Sequence, residues 1–199
     1  TSGIYTWLPL GLRVLEKIQK IVRIKSVRDE ANSSVGKPFG PGISDAIDCY
    51  LNMAKDMGLR TFKDSEGVYG YAEIGPENGE LIGVFGHLDV VPEGELDNWT
   101  EALPYSGDIV DNKIVSRGSL DDKGPMIINL MAVKYLIDSG VQFNKRIRLF
   151  VGGAEETTFE CIYKYSENEE APKYSYTPDS TFPVTYAEKG ILVFDYEAG

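Results

Sequence analysis

Between residues 68 and 152 the sequence switches repeatedly between short β-prone runs and stretches of helical periodicity, and this alternation restricts the fold more than any other feature. Val68 to Ile74 and Leu81 to Phe85 are β-prone, and the turn-forming cluster Gly75-Pro76-Glu77-Asn78-Gly79 between them predicts two neighbouring strands. Ile109-Val110 and Ile114-Val115 flank Asp111-Asn112-Lys113, the pattern of a small hairpin. After Gly124-Pro125, the spacing of Ile127, Leu130, Met131, Tyr135 and Leu136 predicts a helix that stops at Gly140, with Pro125 in its first turn. Arg146 to Gly152 returns to strand character. Strands interleaved with helices predict an α/β domain with a mixed, largely parallel central sheet flanked by helices. Ligand sites in such sheets gather in the loops just past the carboxyl ends of the strands.

Upstream, Leu12, Leu15, Ile18, Ile21 and Val22 recur at steps of three and four with Lys and Arg between them, an amphipathic helix from Leu10 to about Ile24. The Gly/Pro-rich stretch from Gly36 to Gly42 interrupts regular structure, and Ser44 is a reasonable cap for a second helix ending at Gly58. The Tyr-rich stretch from Tyr163 to Tyr176 reads as packing and loop, because its acidic surroundings do not suit a base-stacking surface.

With 31 acidic against 20 basic residues, the net charge of −11 argues against nucleic acid as a partner and favours cations. No apolar run reaches the roughly 18 residues needed to span a bilayer, so no membrane partner is expected and the chain is expected to be cytoplasmic. Cys49 and Cys161 lie far apart, without the short spacing of a zinc ribbon or redox motif, and read as reduced thiols. Ser34-Val35-Gly36-Lys37 formally fits a Ser-x-x-Lys nucleophile pattern, but it lies in a Gly/Pro loop without companion motifs and is set aside as chance. Neither a phosphate-cradling loop nor a serine nucleophile elbow is present.

Four clusters of acidic or imidazole residues fall at or just after expected strand ends. Gly86-His87-Leu88-Asp89 follows the strand ending at Phe85, and His87 is the only histidine. Side chains two apart on an extended segment share a face, so Asp89 can orient the His87 imidazole; an unrelated acid near a loop histidine is the plainer alternative. Asp121-Asp122 lies on a Gly-bounded loop, where two acids also suit a helix start. Glu155-Glu156 follows an apolar strand, and paired carboxylates repel unless a cation or a shared proton relieves them. Pro178-Asp179 closes the Tyr174 to Thr177 run. Each cluster is ambiguous alone, but together they supply the imidazole and carboxylate donors that a divalent cation takes, and point to metal-assisted hydrolysis.

At these residues the sequence from about Val22 onward resembles the M20 family of zinc peptidases, in particular the PepV-like dipeptidases. The resemblance rests on Ile24 to Glu30, Pro41-Gly42, Gly86 to Pro92, Ser116 to Pro125, Glu155 to Thr157 and Pro178-Asp179, which match in order and spacing. It implies a zinc-peptidase-like catalytic domain with two zinc ions, which manganese or cobalt can replace. His87 and Asp179 would bind one ion and Glu156 the other, with Asp121 bridging both. Asp89 would orient His87, and Glu155 would serve as general base and then general acid. The Asp121-Asp122 peptide bond is the candidate for the family's cis geometry. The implied reaction is cleavage of the peptide bond of dipeptides. An M20-type N-acyl amino acid deacylase, or a non-catalytic metal-binding fragment, are the alternatives. The family's second histidine ligand and its lid domain would lie beyond Gly199. The expected organisation is a leader helix at 1–21, an incomplete M20-type catalytic domain at 22–190 and the start of a lid at 191–199. The string from Thr1 to Leu15 is similar instead to the motif 1 region of bacterial prolyl-tRNA synthetases, without any of their ATP-binding or proline-binding parts.

Overall fold

The structure, a computed structural model, describes residues 4–181, 183–187 and 189–190. The first three residues of the expected leader and the expected lid segment at 191–199 lie outside the described residues. In chain order the elements are α1 (Ile4–Val22), α2 (Pro41–Asp56), β1 (Arg60–Lys63), β2 (Tyr69–Ile74), β3 (Leu81–His87), β4 (Asp108–Val110), β5 (Lys113–Val115), α3 (Lys123–Asp138), β6 (Arg146–Gly152), α4 (Glu160–Asn168) and β7 (Tyr174–Tyr176). Five strands form a mixed sheet in the order β1-β2-β6-β3-β7, and β4 and β5 form the separate hairpin that the sequence predicts. Asp111 and Asn112 turn that hairpin with φ of 47° and 62°, the left-handed pair that a tight hairpin favours.

The expectation that β2 and β3 are neighbours is corrected: β6 lies between them, antiparallel to β2 and parallel to β3. Burial explains the insertion. The last five residues of β6, Arg148 to Gly152, are all buried, and a strand covered on both faces takes the centre of a sheet. Residues 75–80 therefore form a connection instead of a hairpin turn. Gly75 has φ of +99°, and a Cβ there would lie 2.1 Å from the Lys145 carbonyl oxygen, so the turn sits against the chain entering β6.

One helix start differs from expectation, and one further helix appears. The second helix begins at Pro41, with Gly40 and not Ser44 at its N-cap, because Pro41 suits the first helical turn and leaves Ser44 buried inside α2. Its end is as expected, with Gly58 at φ +93° just beyond. The Tyr-rich stretch is not all loop: α4 occupies Glu160–Asn168, and β7 pairs parallel with β3.

Each face of the sheet has its own cover. Leu149 and Val151 of β6 point toward α2 and α3, where Gly70 meets Leu51 and Gly86 meets Met126. Helix α1 packs on α3 and contributes Ile18, Ile21 and Val22 to the same core. Burying such side chains contributes about 1.5–3 kcal/mol each. The opposite face carries Phe85 and Phe150, which stand edge-on to Tyr165 of α4 at 5.2 and 5.1 Å between ring centroids. Arg148 on this face ties β6 to Glu73 of β2 at 2.9 Å and to Glu169 just after α4 at 3.2 Å. Cys49 and Cys161 are free, as expected. Among the described residues no helix is long and apolar enough to cross a membrane.

Candidate metal centre

Register places the candidate residues on one rim. His87 of β3 pairs with Gly152 of β6, and Val84 pairs with Tyr176 of β7. Three parallel strands thus end at the same edge, and the loops leaving them bring Asp89, then Glu155 and Glu156, then Asp179, to that edge. Asp121 reaches it from the loop before α3. The peptide bond between Asp121 and Asp122 is cis.

His87 is the floor of the site, with 1% of its surface exposed. Its Nδ1 lies 3.0 Å from the Asp89 carbonyl oxygen and 3.4 Å from the Asp89 carboxylate. With Nδ1–H donating there, Nε2 faces the rim. That atom is buried and makes no hydrogen bond among the described residues, although Asp121 Oδ1 lies at 3.0 Å, Asp179 Oδ2 at 3.5 Å and Glu155 Oε2 at 3.7 Å. One ligand atom each from His87, Asp121 and Asp179 lie within 4.8 Å of one another. Glu156 is outside that group; its carboxyl is held up by burial and by the charge of Asp121. The Asp89 carboxylate accepts the backbone N–H groups of Glu155 and Glu156 at 3.2 and 3.0 Å, so one buried acid fixes both the histidine and the glutamate pair.

Sequence spacing does not single out Asp122, whose side chain turns inward while that of Asp121 turns out. It is fully buried, and its Oδ2 accepts the His87 backbone N–H at 3.2 Å. Two adjacent acids before a helix do not reveal which one is buried; the signal was Gly86, where a Cβ would lie 2.2 Å from Asp122 Oδ2.

Electrostatics describe a site with too much negative charge. Burial raises Glu155, Glu156 and Asp179, and neighbouring carboxylates add to each shift. Burial, with Asp179 and Asp121 close by, pushes Asp122 up to about 7. Burial alone opposes a charged imidazole, but hydrogen bonding and charge from Asp89, with Asp122 and Glu155 behind it, push His87 up to about 10. A buried imidazole nitrogen without a partner, ringed by crowded carboxylates, fits a divalent cation with mixed nitrogen and oxygen donors.

An α/β fold with an imidazole and carboxylate cluster on the carboxyl rim of its parallel strands defines a class of metal-type hydrolase sites. The chain belongs to Peptidase family M20/M25/M40, whose profile matches residues 83–193. It is 38% identical over 179 residues to "Putative dipeptidase YtjP" of Bacillus subtilis, covering 90% of this chain and 38% of that protein. It is 37% identical over 183 residues to a "Putative dipeptidase" of Staphylococcus epidermidis, covering 92% of this chain and again 38% of the relative. The chain therefore spans well under half the length of these curated relatives. In fold it is similar to human carnosine dipeptidase 1, with a TM-score of 0.71 at 21% identity over 89% of this chain and 40% of that one. The Saccharomyces cerevisiae di-peptidase Dug1p aligns with a TM-score of 0.64 at 19% identity, covering 78% of this chain and 35% of its own.

Proposed function

We propose that this chain supplies the metal centre of a PepV-like, zinc-dependent dipeptidase. The observation that carries the reading is His87 Nε2, buried and without a hydrogen bond, with three carboxylates within 3.7 Å. His87 and Asp179 would hold one zinc ion, Glu156 would serve a second, and Asp121 would be shared by both. When bound, such ions polarise the scissile carbonyl and lower the pKa of an attacking water toward neutrality. Asp89 orients the imidazole through Nδ1 and, through the two amides it accepts, sets where Glu155 and Glu156 point. Glu155, left out of the ligand set, takes the proton of the attacking water and hands it to the leaving amine. Its raised pKa suits both directions of that transfer.

A cleft of about 440 Å³ opens beside these groups, with His87, Glu155 and Asp179 on its polar side and Phe85, Phe150 and Phe159 on its apolar side. That volume and mixed lining suit a small peptide. In this reading residues 22–190 are the M20-type catalytic portion. Helix α1, packed on α3, joins them to whatever role Thr1 to Leu15 has, and no synthetase chemistry enters.

The test is zinc titration of the purified chain, followed by mass spectrometric detection of cleavage over a panel of dipeptides and N-acyl amino acids. Expected are zinc uptake by this chain and, in a protein of the relatives' full length that carries it, cleavage of dipeptides that a chelator stops. Failure to bind zinc overturns the metal centre, and cleavage confined to N-acyl amino acids overturns the dipeptidase reading.

Protons and metal compete for this site, which fixes the sign of its pH dependence. His87 is raised from 6.5 to about 10, so its charge contributes stability that is full below about pH 6.5 and lost as pH rises through 10. Asp122 is raised from 3.8 to about 7, so its ionisation costs stability across that interval. Both make the metal-free protein less stable as pH climbs, while zinc needs the imidazole neutral and binds better as protons leave. The rise in Tm on adding zinc is therefore expected to be larger at pH 8 than at pH 6. Differential scanning fluorimetry with and without zinc at the two pH values checks this, and an equal or smaller shift at pH 8 contradicts it.

A further inference from the structure

Residues 24–28 run between α1 and the loop before α2 without belonging to either helix, and every second residue reaches a different loop of the metal centre. The Ile24 carbonyl accepts from Lys123 Nζ at 2.7 Å, and Lys123 directly follows Asp121-Asp122. Ser26 Oγ donates to the Leu88 carbonyl at 2.6 Å, while the Ser26 carbonyl accepts from Val90 N–H at 3.0 Å, on either side of Asp89. Arg28 donates through one guanidinium nitrogen to the Thr157 and Thr158 hydroxyls at 3.1 and 3.2 Å, immediately after Glu155-Glu156.

The segment is itself held from behind. Gly42 of α2 packs so closely that a Cβ there would lie 2.0 Å from the Lys25 carbonyl oxygen, and Asp29 N–H donates to the Phe39 carbonyl at 3.0 Å. The Arg28 guanidinium lies over the buried Phe39 ring, 4.8 Å from its centroid.

We propose that Ile24–Arg28 is a positioning strap that locks the loops of His87, Asp121 and Glu155-Glu156 into one geometry, with Arg28 as the positioning residue for the glutamate pair. The proposal rests on the metal-centre reading for its purpose but not for its mechanics. The loop 153–159 is anchored at its start by the buried Gly153 and Ala154, and Arg28 holds its far end at Thr157 and Thr158. Asp89 takes the amides of Glu155 and Glu156, and the Ala154 carbonyl takes those of Thr158 and Phe159 at 3.2 and 2.8 Å. Arg28 touches none of the candidate ligands, so it acts through the two threonines. A lysine keeps the charge but lacks the planar fork and the stacking on Phe39.

The test compares Arg28→Ala, Arg28→Lys, the double variant Thr157→Val/Thr158→Val and the triple combination with alanine at 28, all in the full chain. Hydrogen exchange of the amides at 155, 156, 158 and 159 is read first, with α2 as internal reference. Exchange there is expected to speed up by about fivefold in Arg28→Ala, the worth of a typical lost hydrogen bond. The double variant is expected to match it, the triple to add nothing, and Arg28→Lys to restore it in part. Zinc affinity from chelator competition is expected to fall by about tenfold in the same variants, the lower end for losing a group that orients ligands. Unchanged exchange, multiplied effects in the triple variant, or loosened loops with unaltered zinc affinity overturn the strap. If the alanine variant does not fold, the exposed threonine pair decides the same question. If the wild-type chain takes up no zinc, the metal reading fails by itself, and the exchange data alone support or overturn the strap.

Discussion

Asp121→Asn is expected to reduce zinc affinity by at least about a hundredfold, more than the loss of a group that only orients a ligand. The substitution changes one atom and one charge. Asp121 Oδ1 is the carboxylate oxygen nearest His87 Nε2, at 3.0 Å, and electrostatically it is felt at Asp122, Glu156 and Asp179 alike. On the proposed reading Asp121 would serve both cations, so its neutral amide would weaken both positions together. Its side chain is 57% exposed, so the metal-free variant should unfold at nearly the wild-type temperature. Metal analysis after dialysis, with chelator competition on the refolded fraction, separates ligand loss from misfolding. Wild-type stoichiometry in a stable Asp121→Asn protein takes Asp121 off the bridge.

The ease with which the sequence yields this site has a physical origin. Strand β6 closes on the apolar run Leu149-Phe150-Val151 before Gly152-Gly153, and β3 ends on Gly86-His87, so both carboxyl ends announce themselves locally. Helices α1, α2 and α3 show their apolar spacing for the same reason. What the sequence concealed is non-local. The connection at 75–80 has turn chemistry whether or not the flanking strands pair, and only the burial of β6 decides that they do not. Helix α4 is short and polar on its outer side, with Tyr163 exposed and Tyr165 buried, so its periodicity was masked by a run of tyrosines. The inward turn of Asp122 and the reach of Ser26, Lys123 and Arg28 to separate loops are contacts across 35 to 130 residues of chain, to which spacing is blind. His87, Glu155, Glu156 and Asp179 could be read because each lies at or just past a strand end, whereas the residues that hold their loops could not.

In a protein of the relatives' full length that carries this chain, Glu155→Gln is expected to lower kcat for dipeptide cleavage by about 10²–10⁴-fold, the span associated with a lost general base, while zinc content stays at the wild-type level. The geometry separates the two effects. Glu155 Oε2 lies 3.7 Å from His87 Nε2, beyond Asp121 and Asp179, and Glu155 is not one of the three residues whose ligand atoms cluster. Its backbone amide, not its side chain, is what Asp89 holds, so the amide side chain leaves the loop anchored. Glutamine keeps the shape and can still accept or donate a hydrogen bond, but it cannot carry a proton from the attacking water to the departing amine. Burial and the negative neighbours Asp179 and Glu156 hold the Glu155 carboxyl above its ordinary range, which puts its acid limb in the pH–rate profile of the wild type. That limb should vanish in whatever residual activity Glu155→Gln retains. Loss of zinc from this variant would instead make Glu155 a ligand and pass the proton-transfer role to Glu156, the only other member of the pair held by Asp89.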